Sequence, residues 1–360
     1  MDYRILAINS GSTSTKLAIY DNYHPLVVKN YLHENILVHR YHKIFLQKDF
    51  RKETILNFLE EFKIPLESID VFVGRGGLLR PIKSGTYEVN QEMLEDLESE
   101  KYGAHSCNLG AVLAYELSLE YKRPAYIVDP VVVDELSDYA RISGHREFER
   151  KSIFHALNQK ATAHRYADEI ESKYDELNLI VAHLGGGISI GLHKKGQVVD
   201  VNNALGGEGP FTPERTGTLP AFQLIDICFS GKYSKEEVKK QIVGKGGLVS
   251  YIGTSDGIEI SRRIEEGDEE AKFYLEAMAY QIIKEIGSLY FASKGEIDAV
   301  LLTGGLAHSK YLCSFILNHL PQFIKVKIYP GENEMESLVY GALRVLEGKE
   351  EIKTYLSENF

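Results

Sequence analysis

Two distant stretches of the chain share one grammar. AINSGSTSTKLAIYD, residues 7–21, and NLIVAHLGGGISIGLHKKG, Asn178 to Gly196, each run from an apolar segment into a turn of glycine or small hydroxyl residues. Each leaves through alternating strand, and the second continues past a polar turn into another short strand, QVVDVNN. Placing Gly11 on Gly185 sets Asn9 on His183 and Lys16 on Ile190. Similarity at so long a spacing points to duplication of a unit of three strands plus helices, not to a solenoid. The expected fold is therefore α/β, with two similar lobes facing one another across a cleft, the usual place for a ligand.

Bulk properties agree with that size. The 360 residues suffice for two cores, since single cores stop growing at roughly 250–300 residues. A net charge of -11 without a long Lys/Arg run argues against a nucleic-acid partner, which needs a basic face. It leaves an anionic small substrate open, because a substrate feels local charge. Cys107, Cys228 and Cys313 lie far apart and form no CxxC, which argues for reduced thiols and against a disulfide framework or zinc site. The start, YRILAIN, lacks the basic region and long apolar core of a signal peptide, and no apolar run approaches the ~20 residues of a membrane span. A cytoplasmic location is expected, with no membrane partner.

Apolar runs or alternation predict strands at Tyr3–Ile8, Lys16–Tyr20, Leu26–Leu32 and Val71–Val73. Helical spacing is read at 54–62, with Ile55, Phe58, Leu59 and Phe62 on one face. It recurs near 108–121, 153–172, 236–242, 258–265 and 269–292, the last carrying Phe273, Met278, Ile282, Ile286 and Leu289.

Three strand-end loops carry the chemistry. In NSGSTSTK, Asn9 to Lys16, turn amides and the Ser12 and Ser14 hydroxyls can cradle phosphate oxygens while Lys16 offsets charge. Taken alone, a solvated hairpin is the better reading of that stretch. HLGGGIS carries three consecutive glycines, Gly185, Gly186 and Gly187, which points to a tight turn or close backbone approach. DAVLLTGGLAHS runs a buried strand into Thr303, Gly304 and Gly305 and then a helix, whose first amides suit an anion or nucleotide. Neither GxxxxGK[ST] nor GxGxxG occurs, which removes the two commonest nucleotide folds.

Charged residues also stand near turns. GEGPFTPERTGTLP puts Arg215 in a fixed loop, where it could fork onto a carboxylate or phosphoryl oxygen or be a surface arginine. GRGGLLRP offers Arg75 and Arg80 in a similar setting. His155 stands at a helix start beside Phe154, where a capped or packed histidine is the default. Asp129 ends AYIVDP and Glu334 precedes the last helix; each suits Mg²⁺ or a helix start. Two GxSxG matches are false friends: Ser189 lies in alternating strand, and Ser255 sits where an N-cap is expected. A hydrolase using Ser255 is a minor rival.

Taken together, NSGSTSTK, HLGGG, FTPERTG and IFHALN resemble the phosphate loops, arginine loop and catalytic-histidine segment of the acetate kinase family, within the actin-like ATPase superfamily. GGLLRPI, GAHSCNLGA and DPVVVDE resemble its butyrate kinase branch. The resemblance implies two duplicated ribonuclease-H-like domains with an interdomain cleft: residues 1–150 plus 340–360, with a returning C-terminal helix, and a nucleotide-binding domain at 151–339. It implies reversible phosphorylation of a short-chain carboxylate, butyrate before isobutyrate, acetate or propionate, by ATP with Mg²⁺. It implies catalytic roles for His155, Arg215 and Asp129, the last near Mg²⁺ together with Asn9 and Glu334. ATP would meet Ser12, Ser14, Lys16, His183, Gly185, Gly186, Gly187, Gly304 and Gly305, and a homodimer or higher homo-oligomer is expected.

Two positions depart from the family. Phe72 of VFVGRGG stands where acetate kinases carry a substrate arginine, which leaves Arg75 and Arg80 as alternatives. Gln159 replaces the second histidine of the FHGTSH pattern. A chaperone-like or filament-forming ATPase and a sugar kinase of the same superfamily are the other rivals.

Overall fold

The computed structural model describes residues 2–34, 41 and 43–356. Two compact units divide it, Met1–Val133 with Asn333–Phe360 and Asp134–Glu332.

The first unit opens with an antiparallel meander, β1 Arg4–Ser10, β2 Ser14–Asp21 and β3 His24–Leu32. β1 is buried on both faces from Ile5 onward, so it reads as one apolar run, whereas β3 alternates as a partly exposed edge. β4 Val71–Arg75 pairs parallel to β1. β5 Thr86–Glu88 pairs antiparallel to β6 Ala125–Val128, and β6 pairs parallel to β4.

The second unit repeats the plan. β7 Asn178–Leu184, β8 Ile188–Lys194 and β9 Gln197–Val201 form a meander, and β10 Ala299–Gly304 and β11 Val326–Pro330 add in parallel beyond β7. Its order, β11-β10-β7-β8-β9, matches β6-β4-β1-β2-β3 strand for strand. The duplicated architecture is thus present. Ile180, Ala182 and Leu184 pack on one sheet face with helix Glu269–Ala292, while Leu179 and Val181 meet helix Ala156–Glu169 on the other. In the long helix, Leu275 rather than the expected Phe273 continues the buried stripe; Phe273 is 63% exposed.

The chain then returns to the first unit. Helix Glu334–Leu346 buries Leu338, Val339, Ala342 and Leu343 against β1, β4 and β6. β12 Lys353–Thr354 pairs with β5 at the sheet edge. Residues 357–360 of the expected C-terminal run lie outside the described residues.

The unit boundaries fall at 133/134 and 332/333, against the expected 150/151 and 339/340. Residues 134–150 side with the second unit because they bond to it. Ser137 N donates to Val199 O, Arg150 reaches Asp200 and Val201 O, and Lys160 forms a buried ion pair with Glu135 at 2.8 Å.

The hairpins also correct the register of the repeat. Ser10 pairs with Thr15 across the first turn, and Leu184 pairs with Ile188 across the second. The first turn is therefore one residue longer. Lys16, partner of Asn9, corresponds to Ser189, partner of His183, and not to Ile190. Among the described residues no helix is long and apolar enough to cross a membrane.

Candidate functional site

In the first unit the candidate residues gather at the C-terminal ends of parallel strands. Asn9 nears the end of β1, Arg75 ends β4, and Asp129 follows β6, where Arg75 and Val128 share a register level. Glu334 opens the last helix after Asn333, which adopts left-handed backbone at φ 45°. Asn9 Nδ2 donates to Glu334, Arg75 Nη1 pairs with Glu334 Oε1 at 2.6 Å, and Arg75 approaches Asn9 Oδ1 at 3.4 Å. Asp129 is buried, its Oδ1 accepting from Gly85 N at 2.7 Å. Lys16, paired with Asn9 across the meander, projects from the same face.

Arg80 is not part of this gathering. Its Nη2 pairs with Asp96 at 2.7 Å and Glu92 at 2.9 Å, and its Nε donates to Tyr355 Oη at 2.9 Å. Arg80 therefore clamps the C-terminal run to helix Gln91–Glu98. Burial opposes the charge of Asp96, yet hydrogen bonds from Arg80 and Tyr355 outweigh it and hold the carboxyl below its ordinary range. Phe72 is wholly buried within β4, so that position belongs to the core.

Beneath the opening loop lies a residue that motif reading missed. Arg51, on helix Lys48–Glu61, is fully buried. It donates to Ser14 O at 2.8 Å, Gly11 O at 2.9 Å and Thr15 Oγ1 at 3.0 Å, while Gln47 Oε1 orients it. These partners are neutral oxygens, so burial pushes the guanidinium down to about 10, still charged at neutral pH. The loop 11–14 is thus fastened from below by a cation. Ser12 at its tip is exposed, and Ser14 half-buried.

The second unit has its own gathering. His155 directly precedes helix Ala156–Glu169 and stacks on His183 with centroids 3.8 Å apart and planes at 11°. His183 Nδ1 bonds Asn158 Oδ1 at 2.7 Å, and Glu332 Oε1 lies 3.6 Å from its Nε2. A Cβ on Gly187 would sit 2.3 Å from Arg215 Nη1 and 3.2 Å from His155 Cε1, so the third glycine leaves room for both. The arginine loop docks on the glycine turn through Thr212 Oγ1, which donates to Gly186 O at 2.6 Å. Gly185 closes the turn, its N–H bonded to Gly187 O. Gly304, at φ +91°, brings β10 against Leu184, where a Cβ would lie 2.3 Å from the carbonyl oxygen. Gly305 begins a short 3₁₀ turn before helix Lys310–His319.

Arg215 is the least compensated cation here. Its Nη1 donates to Ala204 O at 2.7 Å, but among the described residues its buried Nε has no hydrogen-bond partner, and the Glu214 carboxylate is 3.9 Å away. Burial lowers its pKa, opposed only by Glu214. A half-buried guanidinium with an enclosed, unbonded Nε is an anion site in search of oxygens.

Ser255 shows no such setting: Asp256, not Ser255, caps helix Gly257–Glu265. Among the described residues no three His, Cys, Asp or Glu side chains are grouped as a metal cage. Asn9, Asp129 and Glu334 are instead hard oxygen donors with only two carboxylates among them. That fits Mg²⁺, which takes one or two carboxylates plus phosphate oxygens and water.

A model of the acetokinase family matches residues 143–342, more than half of the sequence, and the chain belongs to that family. Its fold is similar to that of a propionate kinase from Francisella tularensis subsp. tularensis SCHU S4, with TM-score 0.73, 19% identity, and coverage of 94% of this chain and 98% of that one. It is also similar to acetate kinase from Porphyromonas gingivalis, with TM-score 0.72, 20% identity, and coverage of 96% and 100%. Acetate kinase from Entamoeba histolytica gives TM-score 0.72 at 17% identity, covering 94% and 99%. The shared architecture is the two-domain α/β fold of actin-like ATPases.

Proposed function

We propose that this protein transfers the γ-phosphoryl group of ATP to a short-chain carboxylate, with butyrate as the acceptor: butyrate + ATP ⇌ butyryl phosphate + ADP. Family membership supports carboxylate phosphorylation. The carrying observation is Arg215, half-buried with its Nε fully enclosed and unbonded among the described residues, and gathered with His155 and the glycine turn. Butyrate rests on GGLLRPI, GAHSCNLGA and DPVVVDE, which resemble the butyrate kinase branch. Acetate or propionate is the second reading, favoured by the enzymes whose fold this chain shares.

A carboxylate is already nucleophilic, so the protein need supply no strong base. Its oxygen attacks the γ-phosphorus in line as the bond to the β–γ bridging oxygen breaks, and ADP leaves. The difficulty is bringing anions together, so positioning and charge stabilisation dominate. Arg215 would bind equatorial phosphoryl oxygens, with His155 beside it. The turn that Gly185 closes, through the amides of Gly186 and Gly187, would hold ATP phosphates together with His183, Gly304 and Gly305. Ser12, Ser14 and Lys16 would bind phosphoryl oxygens at the opening loop. Arg75, rather than Arg80, would take the carboxylate, exchanging its bond to Glu334. Mg²⁺, held by Asn9, Asp129 and Glu334, would neutralise charge on the nucleotide phosphates.

The reading of a homo-oligomer is supported by helix Ala221–Phe229, which buries none of its residues and leaves Phe222 85% and Phe229 86% exposed. Sedimentation of wild type and a Phe222→Ser/Phe229→Ser variant should give an assembly and a smaller species; a monomeric wild type would contradict it. The activity is tested by ADP release in the presence of carboxylates or sugars. Dependence on carboxylate is expected, and dependence on sugar alone would favour a sugar kinase.

A further inference from the structure

His155 ends a line of buried polar side chains running through the second unit. Ser189 Oγ lies 2.9 Å from His155 Nδ1. Gln159 Nε2 lies 2.8 Å from that hydroxyl and 3.0 Å from the Ser189 carbonyl oxygen. Gln159 Oε1 meets His193 Nε2 at 3.0 Å, and His193 Nδ1 meets Tyr174 Oη at 2.7 Å. Gln159, Ser189 and His193 are wholly buried.

The hydrogens follow from what each group can give or take. A main-chain carbonyl only accepts, so the amide NH₂ of Gln159 faces Ser189 and the amide oxygen faces His193. That oxygen also only accepts, so His193 carries its proton on Nε2. Burial, with Lys160 and His164 nearby, lowers the pKa of His193 well below the ordinary value and keeps the ring neutral. Its Nδ1 therefore accepts from the Tyr174 hydroxyl. At the other end, Ser189 Oγ accepts from Gln159 and gives its own hydrogen to His155 Nδ1. Every donor in the line points toward His155.

We propose that Tyr174, His193, Gln159 and Ser189 are positioning residues that hold His155 as the neutral Nε2–H tautomer. A proton on Nδ1 would oppose the Ser189 hydroxyl hydrogen, and stacking on His183 keeps the ring from turning over. His155 can then offer an N–H to a phosphoryl oxygen and cannot serve as a base at Nε2. This consequence rests on the phosphoryl-transfer reading; the tautomer itself does not.

The experiment is ¹⁵N–¹H correlation of the full-length chain labelled at histidine, with His155 assigned by its loss in His155→Asn. The expected wild-type signature is an acceptor-type Nδ1 and a protonated-type Nε2. In Ser189→Ala the two shifts should converge as the tautomers mix. Turnover should fall about five- to tenfold, the size of one ordinary hydrogen bond, while KM for ATP stays within about twofold. A wild-type Nδ1–H tautomer or a charged ring would overturn the proposal, and that spectrum decides even if the variant does not fold. Absence of carboxylate-dependent turnover alongside the expected spectrum would instead sink the functional reading and leave the tautomer assignment standing.

Discussion

Arg215, Arg75 and Arg80 all sit in glycine- or proline-marked loops, yet their partners assign them different work. Among the described residues Arg215 has one main-chain acceptor and a buried Nε without one, so its charge is available to an anion. Arg215→Ala should lower kcat about a hundredfold or more, the ~3 kcal/mol typical of such a group, with an unchanged melting temperature. Full turnover in the folded variant would contradict this. Arg80 is committed to Asp96, Glu92 and Tyr355. Arg80→Ala leaves a buried carboxylate uncompensated and should cost about 3–5 kcal/mol of stability in denaturant titrations. Arg75→Ala should spare stability and raise KM for the carboxylate; the reverse pattern would exchange the two roles. Sequence spacing could not separate these arginines, because Asp96 and Tyr355 reach Arg80 from remote parts of the chain. Arg51 was legible in principle: it lies four residues before Ile55, on the apolar face of its helix. A cation at a core-facing position signals a buried partner set, but its loop carbonyl partners are set by the fold.

At the scale of elements, strands read as apolar runs recur with their ends shifted by a few residues, because their first and last residues pair without being apolar. Lys16–Tyr20, for instance, extends to Ser14–Asp21. The helix read from 54 begins at Lys48, since the fully buried position of its first turn is Arg51 rather than an apolar residue. The pairing of that helix with the opening turn gives a prediction of its own. Arg51→Met removes the donors that fasten the carbonyls of Gly11 and Ser14. Affinity for MgATP should fall about tenfold by calorimetry, as expected for losing one or two hydrogen bonds to a charged group. Unchanged affinity would mean that the loop needs no fastening to bind.

For the whole molecule, duplication was the most legible property, since both hairpins carry the same strand–turn–strand pattern and the second sheet repeats the order of five strands of the first. The extra residue in the first turn was not legible, because glycine and serine fit either turn length and only the pairing partners fix the register. Acyl chain length is equally hidden: one methylene in a pocket is worth only ~1 kcal/mol. The family model covers residues 143–342, so the segment carrying Arg75 and Phe72 lies outside it. The most direct measurement is acyl-phosphate formation from MgATP, trapped with hydroxylamine, across acetate, propionate, butyrate and isobutyrate. A product whose yield peaks at butyrate is the expected result. A peak at acetate or propionate would contradict the butyrate assignment alone, and no acyl phosphate from any acid, with ATP still bound, would contradict carboxylate phosphorylation itself.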